Sequence, residues 1–359
     1  MEFWLSALAL PMTIGLVLLL RRQAVRLGLM DEPGGRKQHH GLVPLVGGLA
    51  MFGGLLAAAM LSGLSQTNAA LLLALALLVV KGYLDDRFDL RPALRFSVQA
   101  LAALIMVYWG DVRLENLGNL FGFGDVLLGR WSLPMTVFAV LGVINAMNMI
   151  DGADGLAGGL ALVALLAFAT FASVGGFLGG TVLLPLLFAV VGFMLFNARS
   201  PFRARAAVFM GEAGSVLLGF SLAWYAIDLA SVREVFTPIT AVWILAVPLM
   251  DTIGLMLRRL LKGRSPFAPD NEHLHHILQR AGFSHAQTVL IVWLIAAMLA
   301  GIGIAGWKLG VPEYVMFYAF LALFAGYLYG VMHAWKFMKA MRKVHDGLEE
   351  RVTELRRKP

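Results

Sequence analysis

The stretch ALLLALALLVVKGYLDDRFDLRP, residues 70–92, runs from an apolar segment into Asp85, Asp86 and Asp89. The segment reads as the middle of a membrane-spanning helix, and a bilayer interior expels the charges at its end. The rest of the chain extends that reading. Of 359 residues 59% are hydrophobic and 14% charged, where a soluble domain carries about 25% charged residues. The sequence predicts an all-α polytopic membrane protein. With no cysteine in the chain, disulfides and thiolate metal sites are excluded.

About 20 apolar residues in helical form cross a hydrocarbon core of about 30 Å. By that measure about eleven segments qualify, centred near residues 12, 53, 74, 102, 140, 165, 187, 220, 246, 297 and 324. The first, MEFWLSALALPMTIGLVLLLRR, has an acidic start, no small-residue cleavage site and its arginines at the far end. It reads as a retained helix with a periplasmic N-terminus rather than a signal peptide. Alternating loops then place 25 of the 29 Lys and Arg residues on one side, leaving only Arg113, Arg130, Arg233 and Lys308 on the other. Such a bias marks the cytoplasmic face and sets the C-terminus there. The net charge of +7 is spread over many short loops on one side, which suits an anionic lipid surface and argues against nucleic acid. Residues 1–335 read as a single multi-span domain, and 336–359 as a basic cytoplasmic helix or tail. The outer loop at 111–131 has the alternation and glycine turns of a hairpin.

On this topology the chemistry-bearing residues share the inner face. Asp85 and Asp86 end the third segment; Asn148, Asp151 and Asp154 lie in NAMNMIDGADGLAGG at the exit of the fifth; Glu212 lies in VFMGEAGS before the eighth. Asp251 in PLMDT is near the inner end of the ninth, and HLHH, residues 273–276, follows it. Clustered carboxylates repel unless they share a cation, and oxygen ligands without sulfur suit Mg²⁺ or Mn²⁺. Mg²⁺ commonly takes one or two carboxylates and leaves the rest of its shell to water and substrate phosphates, so a diphosphate substrate is the natural partner. The glycines of IDGADGLAGG would let backbone approach such a ligand at a helix start.

LDDRFDL, NAMNMIDGADGLAGG, VFMGEAGS and PLMDTIGLMLRRLLKGRSPFAPDNEHLHH occur in this order, and together the chain resembles the polyprenyl-phosphate N-acetylhexosamine-1-phosphate transferases. The resemblance runs from GLVPLVGG at 41 to RAGF at 280. It implies transfer from a UDP-sugar, with UDP-N-acetylglucosamine favoured by the HLHH and KGRSPFAPD segments, to undecaprenyl phosphate. The products would be undecaprenyl-diphosphate-sugar and UMP, with Mg²⁺ or Mn²⁺ as cofactor. The site would lie on the cytoplasmic face of a bacterial inner membrane, and the resemblance leaves room for a homodimer. Residue by residue, it implies catalytic roles for Asp85, Asp86 and Asp154, with Asp85 orienting or deprotonating the lipid phosphate. Asn148 and Asp151 would face the uridine and Phe209 would stack on uracil. His273, His275 and His276, with Arg264 as companion, would bind the diphosphate. Metal would be held by Glu212 and Asp86. The family normally reads GDxGS where this chain reads GEAGS; the expectation is that Glu212 still binds metal despite one extra methylene.

Simpler readings stand beside these. The Asp85–Asp86 pair could be a solvated helix end paired with Arg87 or Arg91, Asp151 and Asp154 could cap helices, and Phe209 could be apolar packing. His273 and His276 lack the thiolate or carboxylate that would complete a zinc shell. Asp251 could serve metal or substrate, or pair with Arg258 or Arg259. His39 and His40, beside Arg36 and Lys37, could hold a phosphate or simply follow the positive-inside bias. An ion-coupled transporter would place its acids near the bilayer midplane within paired inverted repeats; here they lie at inner helix ends and no such repeat is evident.

Overall fold

The computed structural model describes residues 3–31, 41–61, 65–200, 203–266, 273–333, 335–336 and 338–346. Arg36, Lys37, His39, His40 and the last part of the tail, 347–359, lie outside the described residues. The elements in order are α1 (Phe3–Ala7), α2 (Ala9–Leu27), β1 (Met30–Asp31), β2 (Val43–Pro44), α3 (Gly47–Leu61), α4 (Gln66–Phe88), α5 (Pro92–Tyr108) and α6 (Ser132–Ile150). They continue with α7 (Leu156–Val174), α8 (Leu183–Asn197), α9 (Gly211–Ile227), α10 (Pro238–Ile244), α11 (Ala246–Leu261), α12 (Leu274–Arg280), α13 (His285–Lys308) and α14 (Glu313–Met332).

Among the described residues, seven helical segments are long and apolar enough to cross a membrane, or eight if α10 and α11, bent by 81°, form one broken span. Three more apolar helices, α3, α5 and α8, have 15, 17 and 15 residues. At 1.5 Å per residue these extend only about 22–26 Å, less than a hydrocarbon core. Together the helices stand at the positions where the sequence places apolar segments. The chain is an all-α, multi-pass membrane protein. The expected hairpin between α5 and α6 is present: Leu117 N–H donates to Val126 O (3.0 Å), Val126 N–H to Gly118 O (3.0 Å) and Leu128 N–H to Glu115 O (2.9 Å).

Helix α9 is the axis of the bundle. It is buried along nearly its whole length and packs chiefly against α4 and α6. Small residues permit this. A side chain at Gly82 of α4 would strike the backbone of Ala213 and Glu212, so only glycine lets α4 lie against the first turn of α9. One helical turn further along the same face of α4 comes Asp86, which therefore arrives at the N-terminus of α9. The strand pair β1–β2 and the segment after it approach the same end: Phe209 N–H donates to Pro44 O (2.9 Å), and Gly47 and Gly48 N–H to Phe209 O and Met210 O (both 3.0 Å). The described part of the tail is helical to Asp346 and docks on the α12–α13 turn, where Arg342 donates to Arg280 O (3.1 Å) and the rings of Phe283 and His345 lie 4.9 Å apart.

Candidate active site

The first N–H groups of a helix have no partner within it and attract negative charge. At α9 the partner comes from another helix: Asp86 Oδ1 accepts the Glu212 N–H (2.8 Å) and Oδ2 the Ala213 N–H (3.4 Å). Gly211 completes the join. Its φ of 69° is costly for other residues, and an added Cβ would lie 2.5 Å from Asp86 Oδ2.

Glu212, in the same turn, reaches towards α6 and α4. Its Oε1 accepts from Asn148 Nδ2 (2.9 Å), which also donates to Ser215 Oγ (3.0 Å). Its Oε2 lies 3.7 Å from Lys81 Nζ, and the side chain retains 27% of its exposure. Asp151 closes α6 three residues after Asn148. Burial holds its carboxyl above the usual range, at about 7, and the negative charges of Glu212, Asp86 and Asp154 push in the same direction. Three acids from α4, α6 and α9 thus converge at one end of the bundle.

Asp85 faces differently. It is buried, lies 2.9 Å from both Lys81 Nζ and Arg95 Nη2, and accepts the Leu90 N–H (2.9 Å). These partners differ from the Arg87 and Arg91 that a solvated helix end would use. Asp85 is a charge-compensated anchor, whereas Asp86 faces α9 and the other carboxylates. Asp154 lies one turn of chain after Asp151, pairs with Arg199 (2.7 Å) and accepts the Ala206 N–H (3.1 Å); the helix that follows, α7, is preceded by Gly155 rather than capped by Asp154.

The histidines approach from α12. His275 is buried, and a Cβ on Gly152 would lie 2.8 Å from its Nε2, so the ring is seated against the Asp151–Gly152 turn. Burial lowers its pKa to about 3, with the neighbouring His276 and His273 lowering it further. It is therefore a neutral hydrogen-bonding group, and its Nε2 has no hydrogen-bond partner among the described residues. His276 is half-buried with its ring centroid 4.1 Å from that of His275. His273 Nδ1 lies 2.6 Å from Asp251 Oδ2. Asp251 thus pairs with His273, and its described partners are not Arg258 or Arg259. Phe209 is half-buried two residues before Gly211, with its backbone fixed as above. Arg264 is exposed on the turn after α11, its N–H donating to Arg259 O (2.8 Å).

Sequence reasoning passed over Lys81, Arg95, Arg199 and Tyr327. Lys81 carried a signal: it is a lone charge in an apolar helix, one turn before Asp85, and such residues pair or act. Arg95 joins acids only six and ten residues before it, across the α4–α5 turn, whereas Arg199 and Tyr327 join partners 45 and 76 residues away, and nothing local announces them.

The donor set suits a hard divalent cation. Carboxylate and amide oxygens of Asp86, Asp151, Glu212 and Asn148 are of the kind that Mg²⁺ and Mn²⁺ take, and Asp151, its pKa raised first by burial and then by neighbouring acids, has charge repulsion that a cation would offset. Among the described residues no three His, Asp or Glu side chains are set to hold an ion by themselves. That arrangement fits an ion whose remaining ligands come from substrate phosphate and water.

Comparison with known proteins places these features in a family. The model of glycosyl transferase family 4 matches residues 68–230. The chain is similar to the undecaprenyl-phosphate alpha-N-acetylglucosaminyl 1-phosphate transferase of Escherichia coli K12, with 40% identity over 91% of this chain and 90% of the relative. The Salmonella typhimurium protein of the same name is 40% identical over 92% and 91% of the two chains, and that of Haemophilus influenzae 37% over 91% and 93%. A chain that shares about two residues in five with these transferases along nine-tenths of its length belongs with them to glycosyl transferase family 4.

Proposed function

We propose that the protein transfers N-acetylglucosamine-1-phosphate from UDP-N-acetylglucosamine to undecaprenyl phosphate. The products are undecaprenyl-diphosphate-N-acetylglucosamine and UMP. The relatives' names support this substrate pair. The observation that carries it is the convergence of Asp86, Asn148, Asp151 and Glu212 on the N-terminus of α9, with His275 seated against the same turn. We place the protein in the bacterial cytoplasmic membrane with about eleven spans, the three shorter helices α3, α5 and α8 included, the N-terminus outside and the C-terminus and site inside, a reading that the Lys and Arg distribution supports.

Phosphoryl transfer depends mainly on position and charge neutralisation. A phosphate monoester is already largely ionised near neutral pH, so the lipid phosphate needs holding more than deprotonation. Asp85 keeps Lys81 and Arg95 in place beside the carboxylates, where their charge can meet phosphate oxygens. Asn148 and Asp151 are placed to contact the nucleotide, Phe209 to stack on uracil, and Asp154 to order the loop through Arg199. His275 and His276 offer hydrogen bonds to the diphosphate, with Arg264 available on the turn after α11, and His273, held against Asp251, contacts the UDP-sugar. Asp86 and Glu212 would hold Mg²⁺ or Mn²⁺, which supplies neutralisation of the charge that grows on the diphosphate as the bond to UMP breaks. The test is UMP release by purified protein in detergent with undecaprenyl phosphate, Mg²⁺ or Mn²⁺ and a panel of UDP-sugars. Release should need lipid and metal and be fastest with UDP-N-acetylglucosamine. Release without lipid, or none with any sugar from folded protein, would refute the reading.

A further inference from the structure

Asp251 lies outside the carboxylate cluster and its burial needs a reason. It sits in α11, 1% exposed, and three donors from two other elements satisfy it. Oδ2 meets His273 Nδ1 at 2.6 Å; Oδ1 accepts the Leu274 N–H at 3.0 Å and the Tyr327 hydroxyl at 2.6 Å. Leu274 is the first residue of α12, so the carboxylate anchors the helix that carries His275 and His276. Tyr327, from α14, fixes the anchor from the other side.

We propose that Asp251 is a positioning residue that sets the tautomer and orientation of His273 and so presents Nε2 of that ring as a hydrogen-bond acceptor to an O–H or N–H of the UDP-sugar. A carboxylate only accepts, so Nδ1 must carry a proton to bond it. The proton that a neutral ring would share between two nitrogens is thereby assigned to Nδ1, leaving Nε2 free for the site. The titratable groups at His273 are Asp251 from α11 and His275 and His276 from its own segment, with Tyr327 of α14 bonded to Asp251. Tyr327 holds the carboxylate oxygen that His273 does not use, which keeps Oδ2 aimed at the ring. The inference rests on the proposed transfer reaction for its consequence, but its geometry does not depend on that reaction.

Asp251→Asn separates positioning from anchoring. The amide oxygen can still accept from Leu274 and Tyr327, but the amide nitrogen now donates towards His273, so Nδ1 must become the acceptor and the proton must move to Nε2. In ¹⁵N-histidine-labelled protein without substrate, His273 in the wild type should carry its proton on Nδ1 and in Asp251→Asn on Nε2. UMP release by Asp251→Asn should fall about 10- to 100-fold, the range seen when an orienting carboxylate is removed from a metal-bound imidazole. The loss should lie in kcat more than in KM for the UDP-sugar. Tyr327→Phe, which keeps the Asp–His bond, should lose less than about 5-fold, equivalent to one ordinary hydrogen bond. Adding Asp251→Asn to His273→Gln should cost nothing further. A wild-type ring protonated at Nε2, a variant with unchanged tautomer, or additive losses in the double variant would overturn the inference. If Asp251→Asn does not fold, the wild-type tautomer alone decides. If the wild type releases no UMP, the reaction reading fails while the tautomer still decides this one.

Discussion

Glu212 shows how much one methylene can matter at the residue scale. Its carboxylate spans from Asn148 on α6 to within 3.7 Å of Lys81 on α4, a reach that aspartate would not cover from the same backbone. Glu212→Asp should therefore lower both turnover and Mg²⁺ affinity by about 10-fold, in line with loss of one hydrogen bond to a charged group. UMP release and a metal titration check this; a rise in either quantity would mean that the longer side chain is a defect. Asp151 gives a second test through pH. Its pKa is raised to about 7 from the ordinary carboxylate value of 3.8, so between those values the folded, metal-free protein binds more protons than the unfolded chain. Stability from this group is present below about pH 4 and is lost as pH rises through 7. Metal-free protein should melt about 1–3 °C lower at pH 8 than at pH 5, for a partly screened effect of about 1–2 kcal/mol. Mg²⁺ should restore more at pH 8 than at pH 5, and Asp151→Asn should flatten the dependence. An unchanged pH profile in Asp151→Asn would show that Asp151 is not the group responsible.

At the scale of elements, the site exists because α4 can touch the start of α9. Gly82 sits where any side chain would strike the backbone of Ala213 and Glu212. Gly82→Ala should push the helices apart, costing about 1–3 kcal/mol by overpacking, and should abolish most activity by withdrawing Asp86. Gly142→Ala in α6, where an added Cβ meets nothing within 4 Å, should leave both nearly unchanged. Thermal melts and UMP assays in one detergent make the comparison; equal losses in the two variants would contradict it. The elements themselves were legible in the sequence, because hydrophobic run length marks a membrane helix directly. The motifs were legible too, since Asp86, Asn148, Asp151 and Glu212 sit at helix ends where polar residues in an apolar chain stand out. What the sequence does not carry is which acid faces where. Asp85 and Asp86 are adjacent and alike in the sequence, yet their directions around α4 give one to Lys81 and Arg95 and the other to α9. Asp251 is likewise decided by His273 and Tyr327, 22 and 76 residues away, a pairing made by the fold.

At the scale of the whole molecule, the proposed reaction would bring a lipid-held phosphate and a soluble nucleotide-sugar to one carboxylate cluster at the end of the bundle proposed to face inward. Sidedness can be tested without removing native thiols, since the chain has no cysteine. In intact cells an impermeant maleimide should label Phe123→Cys, whose parent side chain is 91% exposed on the hairpin between α5 and α6. It should reach Lys262→Cys, on the turn after α11, only after permeabilisation; the opposite pattern would invert the topology. The chemistry itself is tested most directly by following the β-phosphorus. With UDP-N-acetylglucosamine radiolabelled in its β-phosphate, undecaprenyl phosphate and Mg²⁺, the label should move with the sugar into the lipid product while unlabelled UMP is released. Label recovered in UDP, with only the sugar on the lipid, would contradict the account, because the carboxylate cluster would then serve glycosyl rather than phospho-sugar transfer.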